Sequence, residues 1–181
     1  MANLRIYRNW GLGFVEEVMN GAAYEPSGVC PHQCWSETMV IQPAIEGLLG
    51  LQVNAPENAI TLAPALPADW DSIWIENIFM ADARIHFAFN RDEEGSQYRF
   101  NTSTYRKIKV TFMPDLLEGI EISKLLLNGK EYPFTTFKNP QGVKLFVEFE
   151  LTDEVLLRLD HRHGISVLPV ISDPAPGDSA A

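Results

Sequence analysis

Two adjacent carboxylates, Glu16 and Glu17, stand in Gly13-Phe14-Val15-Glu16-Glu17-Val18-Met19-Asn20-Gly21. A carboxylate moves protons when it is aimed at a reacting group and is otherwise a solvated surface acid. A second group follows at Cys30-Pro31-His32-Gln33-Cys34-Trp35-Ser36-Glu37. Cys and His are zinc ligands, but two Cys and one His leave a tetrahedral site one ligand short. His161 and His163, in Asp160-His161-Arg162-His163, are far away in sequence. The expectation is therefore buried thiols and no metal. Two cysteines also make no disulfide framework. His86, between Ile85 and Phe87, reads as an outward-facing strand residue, and Asn101-Thr102-Ser103 has the form of a glycosylation sequon. The chain carries no glycine-rich phosphate loop, nucleophile elbow or dinucleotide fingerprint, so no cofactor is expected.

These groups need elements to position them. Over 36–51 apolar residues recur at Met39, Val40, Ala44, Leu48 and Leu51, which predicts a helix. Ser36 is its expected N-cap, Glu37 sits at the positive end of the dipole, and Gly50 ends it. Pro43 removes a hydrogen bond inside it and should kink it. Residues 54–68 read as a connector with one short strand at Ile60-Thr61-Leu62. From about residue 72 the texture changes to short alternating or apolar runs, seven or so. The turns between them are apt: Asp92-Glu93-Glu94-Gly95, Asn128-Gly129-Lys130 and Asn139-Pro140-Gln141-Gly142.

The fold class expected is mainly β, a C-terminal antiparallel β-sandwich preceded by a short helical head. The head spans 1–66, the sandwich 67–172, and a disordered tail 173–181. Alternation places Ile73, Ile75, Ile85, Phe87, Phe89, Val110, Phe112, Leu145, Val147, Phe149, Leu157 and Leu159 inward. The helix has little to pack against in so short a head. That points to a larger structure of which the head is a part.

The chain has 181 residues with 46% hydrophobic and 21% charged, a globular composition. Lys+Arg number 14 against 24 Asp+Glu, for a net charge of −10. An acidic chain without a basic cluster is a poor partner for nucleic acid or an anionic membrane. No apolar run reaches the roughly 18 residues a membrane span needs.

Several elements, in order, resemble the C-terminal end of the six-hairpin (α/α)6-barrel glycosidases, the glucoamylases and glycogen-debranching amylo-α-1,6-glucosidases. The first is the Gly-Phe-then-Glu segment at Gly13. Gln33-Cys34-Trp35-Ser36 resembles the element that opens the last barrel helix, and Gly47-Leu48-Leu49-Gly50-Leu51 resembles that helix's end. Leu62-Ala63-Pro64-Ala65-Leu66-Pro67-Ala68-Asp69-Trp70 resembles the connector into the β-sandwich. The resemblance covers about residues 11–90, and the later strands by general character.

What it implies is an inverting hydrolysis of α-glucosidic or related oligosaccharides. Glu17 takes the place of the general base, with Glu16 ranked second. The partner acid lies far upstream in the family, and neither Glu25 nor Glu37 is marked as a substitute. The head would thus be a remnant of the barrel, and the chain alone inactive. The missing region would come from upstream or from another subunit. At a sugar site tryptophans stack on the apolar faces of the rings. Trp10 and Trp35 flank Glu17 and are candidates for this, while Trp70 and Trp74 are expected in the core. Tyr24 and Gln33 are candidates to hydrogen-bond sugar hydroxyls. Two other classes compete: a non-catalytic carbohydrate-binding or accessory module, and a purely structural sandwich.

Overall fold

The computed structural model describes residues 16–18, 20–23, 25, 27–30, 33–104, 106–116, 119–139 and 142–163. Helix α1 (Cys34–Gln42) continues into a π-helical segment, Pro43–Leu48. Six strands follow: β1 (Gln52–Asn54), β2 (Ala59–Leu62), β3 (Ser72–Met80), β4 (Ala83–Asp92), β5 (Gly95–Thr102) and β6 (Ile108–Phe112). Six more are β7 (Asp115–Leu116), β8 (Ile120–Leu127), β9 (Lys130–Glu131), β10 (Thr135–Asn139), β11 (Gly142–Leu151) and β12 (Glu154–His163).

The strands form two sheets. One has the order β1-β2-β6-β11-β10 with β7 also on β11, and the other runs β3-β4-β5-β12-β8-β9. The expected mainly-β, sandwich-like class is what the chain adopts. Four strands escaped the sequence reading: β1, β7, β9 and β10. Three of them have five residues or fewer and mostly exposed side chains, so no apolar run marks them. Pairing is antiparallel throughout except that β2 runs parallel to β6.

The core lies between the sheets. Ten of the twelve residues expected inward are buried, and Ile73 and Ile75 are partly buried against the same core. Six aromatic rings interlock at its centre. Phe100 sits 5.2 Å from Phe112 and 5.1 Å from Phe149, ring centre to ring centre, and Tyr98 4.8 Å from Phe112. Phe87 and Phe89 complete the group. Edge and tilted geometries of this kind add about 0.5–1.5 kcal/mol per pair beyond the area buried.

In β3 the alternation changes phase. Ile73 and Ile75 point inward, then Ile78 and Met80, with a bulge between Ile75 and Ile78 and Asn77 at φ +60°. The extra residue lets the two inward sets share one face despite their mismatched parity. Trp74 lies between two inward isoleucines, so it points out. It is 68% exposed, which corrects its assignment to the core. Trp70 is half-buried in the connector.

The helix starts earlier than expected. Gln33 is its N-cap, with extended backbone and no side-chain capping bond. Ser36 is already inside the first turn, so it does not cap. Pro43 acts as foreseen in kind, since the α-helix ends before it and the wider π-turn takes over. Gly50, at φ +56°, then turns the chain out of the helix.

The junction between head and sheet is made of backbone bonds. Ala63 N donates to the Leu49 carbonyl at 3.0 Å and Ala65 N to the Leu48 carbonyl at 2.9 Å. Leu49 is buried there. The connector continues along the first sheet, with Met113 N on the Leu62 carbonyl and Asp115 N on the Pro64 carbonyl, each at 2.8 Å. Elsewhere several apolar side chains of α1 and of the π-helical segment after it face solvent. Trp35 is 56% and Met39 66% exposed, and Ile41 and Ile45 are exposed too. The tail at 173–181 and the first fifteen residues of the head lie outside the described residues.

Candidate functional site

Glu17 sits on a loop that its neighbours fix. The Glu16 carboxylate accepts a hydrogen bond from Gly28 N at 2.9 Å. The Ser27 hydroxyl donates to the Val18 carbonyl at 2.7 Å. Residues 16 and 18 are thereby tied to 27–28. Asn20 holds the intervening turn: its Oδ1 accepts from Ala22 N at 2.8 Å, and its Nδ2 donates to Glu25 Oε1 at 2.9 Å. Glu16 and Glu25 are thus engaged in loop structure. Glu17, between the two ties, is exposed and makes no hydrogen bond or ion pair among the described residues.

Of the other expected site residues, Trp35 stands exposed on the first turn of α1 and Gln33 is half-buried just before it. No ring contact or hydrogen bond among the described residues joins either of them to Glu17. Trp10 and Tyr24 lie outside the described residues, as does His32. The Glu37 backbone is helical.

Cys30 and Cys34 are free and exposed, which overturns the expectation of buried thiols. Cys30 is on the open loop at φ +48°, and Cys34 opens α1, whose described side chains are exposed or half-buried. No group of three or more metal-ligating side chains gathers among the described residues.

Among the described residues, buried titratable chemistry occurs deep in the sandwich. Ser96 Oγ lies 3.2 Å from His161 Nε2, both buried, and His161 N reaches the Glu94 carbonyl at 3.3 Å. Burial pushes the adjacent Tyr98 hydroxyl up to about 12, a shift that the hydrogen bond with Ser96 partly offsets. This cluster braces β5 against β12 where β12 bulges at Asp160 and His161. Among the described residues Ser96 and Tyr98 border a cleft of about 10 Å3, room for about one water.

The sandwich also bears a surface feature that the sequence reading missed. A groove of about 410 Å3 opens on the outer face of the second sheet, lined by Trp74, Glu76, His86, Asn90, Arg99 and Asn101. The signal was available. Placing Ile73 and Ile75 inward already places Trp74 outward, because successive strand side chains point to opposite faces. His86 does face outward, as expected, and half-buried.

No protein-family model matches the chain, and no curated protein matches it.

Proposed function

We propose that the chain is the C-terminal portion of an inverting glycoside hydrolase acting on α-glucosidic or related oligosaccharides, with Glu17 as its general base. The observation that carries the proposal is the junction. Two motifs of the resemblance, the helix end Gly47-Leu48-Leu49-Gly50-Leu51 and the connector beginning at Leu62, are hydrogen-bonded to each other through Leu48, Leu49, Ala63 and Ala65. They therefore form one structural unit, as a barrel's last helix entering its sandwich requires.

Two further features support the reading. Glu16 is spent on Gly28 while Glu17 is uncommitted, which favours Glu17 of the pair. Helix α1 exposes Trp35 and Met39, which are four residues apart and share one face, and Ile41 on another side. Apolar side chains left in water on two sides of one helix suit an element covered by a larger body, here the remaining hairpins of a barrel.

In this reading Glu17 deprotonates the attacking water on one face of the sugar. An acid outside these residues protonates the leaving oxygen from the other face, about 6.5–9.5 Å from Glu17. Each positioned proton-transfer group is worth typically about 10²–10⁴-fold. A chain holding the base without the acid and the barrel walls has lost both chemistry and orientation.

The test is an assay of the purified chain on maltose, isomaltose and an aryl α-glucoside, with Glu17→Gln alongside. No turnover above background is expected. The same assay on a protein joining these residues to the preceding barrel hairpins should show hydrolysis that Glu17→Gln lowers at least about 100-fold. Retained turnover in that variant would remove Glu17 from the mechanism. An upstream coding sequence without helical hairpins would remove the barrel reading itself.

A further inference from the structure

The groove on the second sheet is built by register. Trp74 on the edge strand β3 pairs with Ala88 on β4, and Ala88 pairs with Arg99 on β5. A methyl group between an indole and a guanidinium leaves the floor low. Beside them, His86 pairs with Asn101, while Asn90 and Glu76 stand at the margins. The bulge after Ile75 twists the edge just beyond Glu76. None of the five polar side chains makes a hydrogen bond or ion pair among the described residues. Neighbouring polar groups on a sheet face commonly pair across strands, so five uncommitted ones around a single exposed tryptophan are an arrangement with unused binding capacity.

We propose that this groove binds a neutral oligosaccharide. The indole of Trp74 offers a rigid apolar plane, which suits the flat C–H face of a pyranose. The asparagines supply both donors and acceptors, Arg99 supplies donors and Glu76 acceptors, so vicinal hydroxyls find partners of either kind. Arg99 and Glu76 bring one charge of each sign, which selects no ion. With a net charge of −10 the chain also repels nucleic acid, the other ligand class that stacks on aromatics. The volume of about 410 Å3 lies within the range of small-molecule sites. This inference stands on residues of β3, β4 and β5 and does not need the role given to Glu17.

The experiment titrates the full chain with maltohexaose, cellohexaose and xylohexaose, by calorimetry and by 1H–15N NMR. At least one should bind with a Kd of about 1 mM or tighter and shift the Trp74 indole and the Asn90 and Asn101 side-chain amides. Trp74→Ala should weaken that binding at least about tenfold, and Arg99→Ala and Asn101→Ala should weaken it severalfold. Phe137→Ala, an exposed aromatic on the other sheet, should leave it unchanged. Far-UV circular dichroism checks the fold of each variant. Should Trp74→Ala misfold, the Arg99 and Asn101 variants decide the matter. Failure of all three sugars to bind overturns the proposal, as does binding indifferent to the three groove variants. Concentration-dependent self-association lost in Trp74→Ala would identify the groove as a protein interface and overturn it too. Binding lost in Glu17→Gln alone would place the sugar on the head, overturning this proposal while supporting the other.

Discussion

Arg158 is the side chain with the most charged partners among the described residues. Its guanidinium grips Asp92 through two nitrogens, at 2.7 and 3.0 Å, and donates from Nε to Asp160 at 3.1 Å. Asp92 Oδ1 also accepts the backbone N–H groups of Glu94 and Gly95, closing the β4–β5 turn. The hydrogen bond from Arg158 holds the Asp92 carboxyl down at about 2. An unfolded Asp titrates near ~3.9. Its contribution to stability is therefore complete above that value and lost as pH falls toward 2. Asp92 is 58% exposed, so the contribution is about 1 kcal/mol or less. Asp92→Asn should thus be slightly less stable than the parent at pH 7, and the gap should close between pH 4 and pH 2. Urea midpoints at pH 7, 4 and 2.5 measure it, and a gap constant with pH would refute the pairing. At this scale the sequence was partly legible. The Asp-Glu-Glu-Gly turn announced itself by composition, but its arginine clasp lies 66 residues away from Asp92 and left no local mark. Glu17 and Glu16 are alike as residue types. The bonds from Gly28 and Ser27 to Glu16, and its lower exposure, tell them apart.

At the scale of elements, Gly50 decides how the head meets the sheet. Its φ of +56° is costly for any residue with a Cβ, and a Cβ there would lie 2.6 Å from the Ala63 carbonyl oxygen. Gly50→Ala should therefore pry α1 from the connector rather than unfold the sandwich, costing about 2 kcal/mol or more locally. Hydrogen exchange reads this directly. The Ala63 and Ala65 amides, which donate to Leu49 and Leu48, should lose protection, while amides of β6 and β11 keep theirs. Unchanged exchange at Ala63 and Ala65 would show that the junction does not depend on this contact. Gly95 has a comparable role in the body, since a Cβ there would collide with the Leu159 carbonyl oxygen where β5 meets β12. The long strands were readable because they alternate over eight to ten residues beside a buried face. The β3 bulge was not. It exchanges the parity of the strand partway along, and parity is the property on which the reading relied. The helix cap was misplaced by three residues because Gln33 holds the capping backbone without making the capping bond.

For the whole molecule, the two ends of the described chain differ in how much they bury. The sandwich encloses a continuous core, while α1 and the π-helical segment after it leave Trp35, Met39, Ile41 and Ile45 in water. Apolar groups that nothing among the described residues covers should be removable at little cost. Met39→Glu with Ile41→Glu should change unfolding stability by less than about 0.5 kcal/mol per site and reduce binding of a hydrophobic dye. A loss of several kcal/mol, measured by urea unfolding, would show that the helix packs within this chain after all. The parallel pairing of β2 with β6 has a temporal meaning. Ile60 pairs with Val110, so β2 waits about 50 residues for its neighbour to be synthesised, and β6 waits about 40 more for β11. Until then β2 has only β1 to pair with, and α1 is joined to the connector alone. Such non-local pairing is slow to close because the loop entropy is lost before contacts repay it. A chain emerging from the ribosome therefore carries its head and connector ahead of a sheet not yet made, which leaves the exposed apolar side chains of the helix open to a chaperone or a companion during translation.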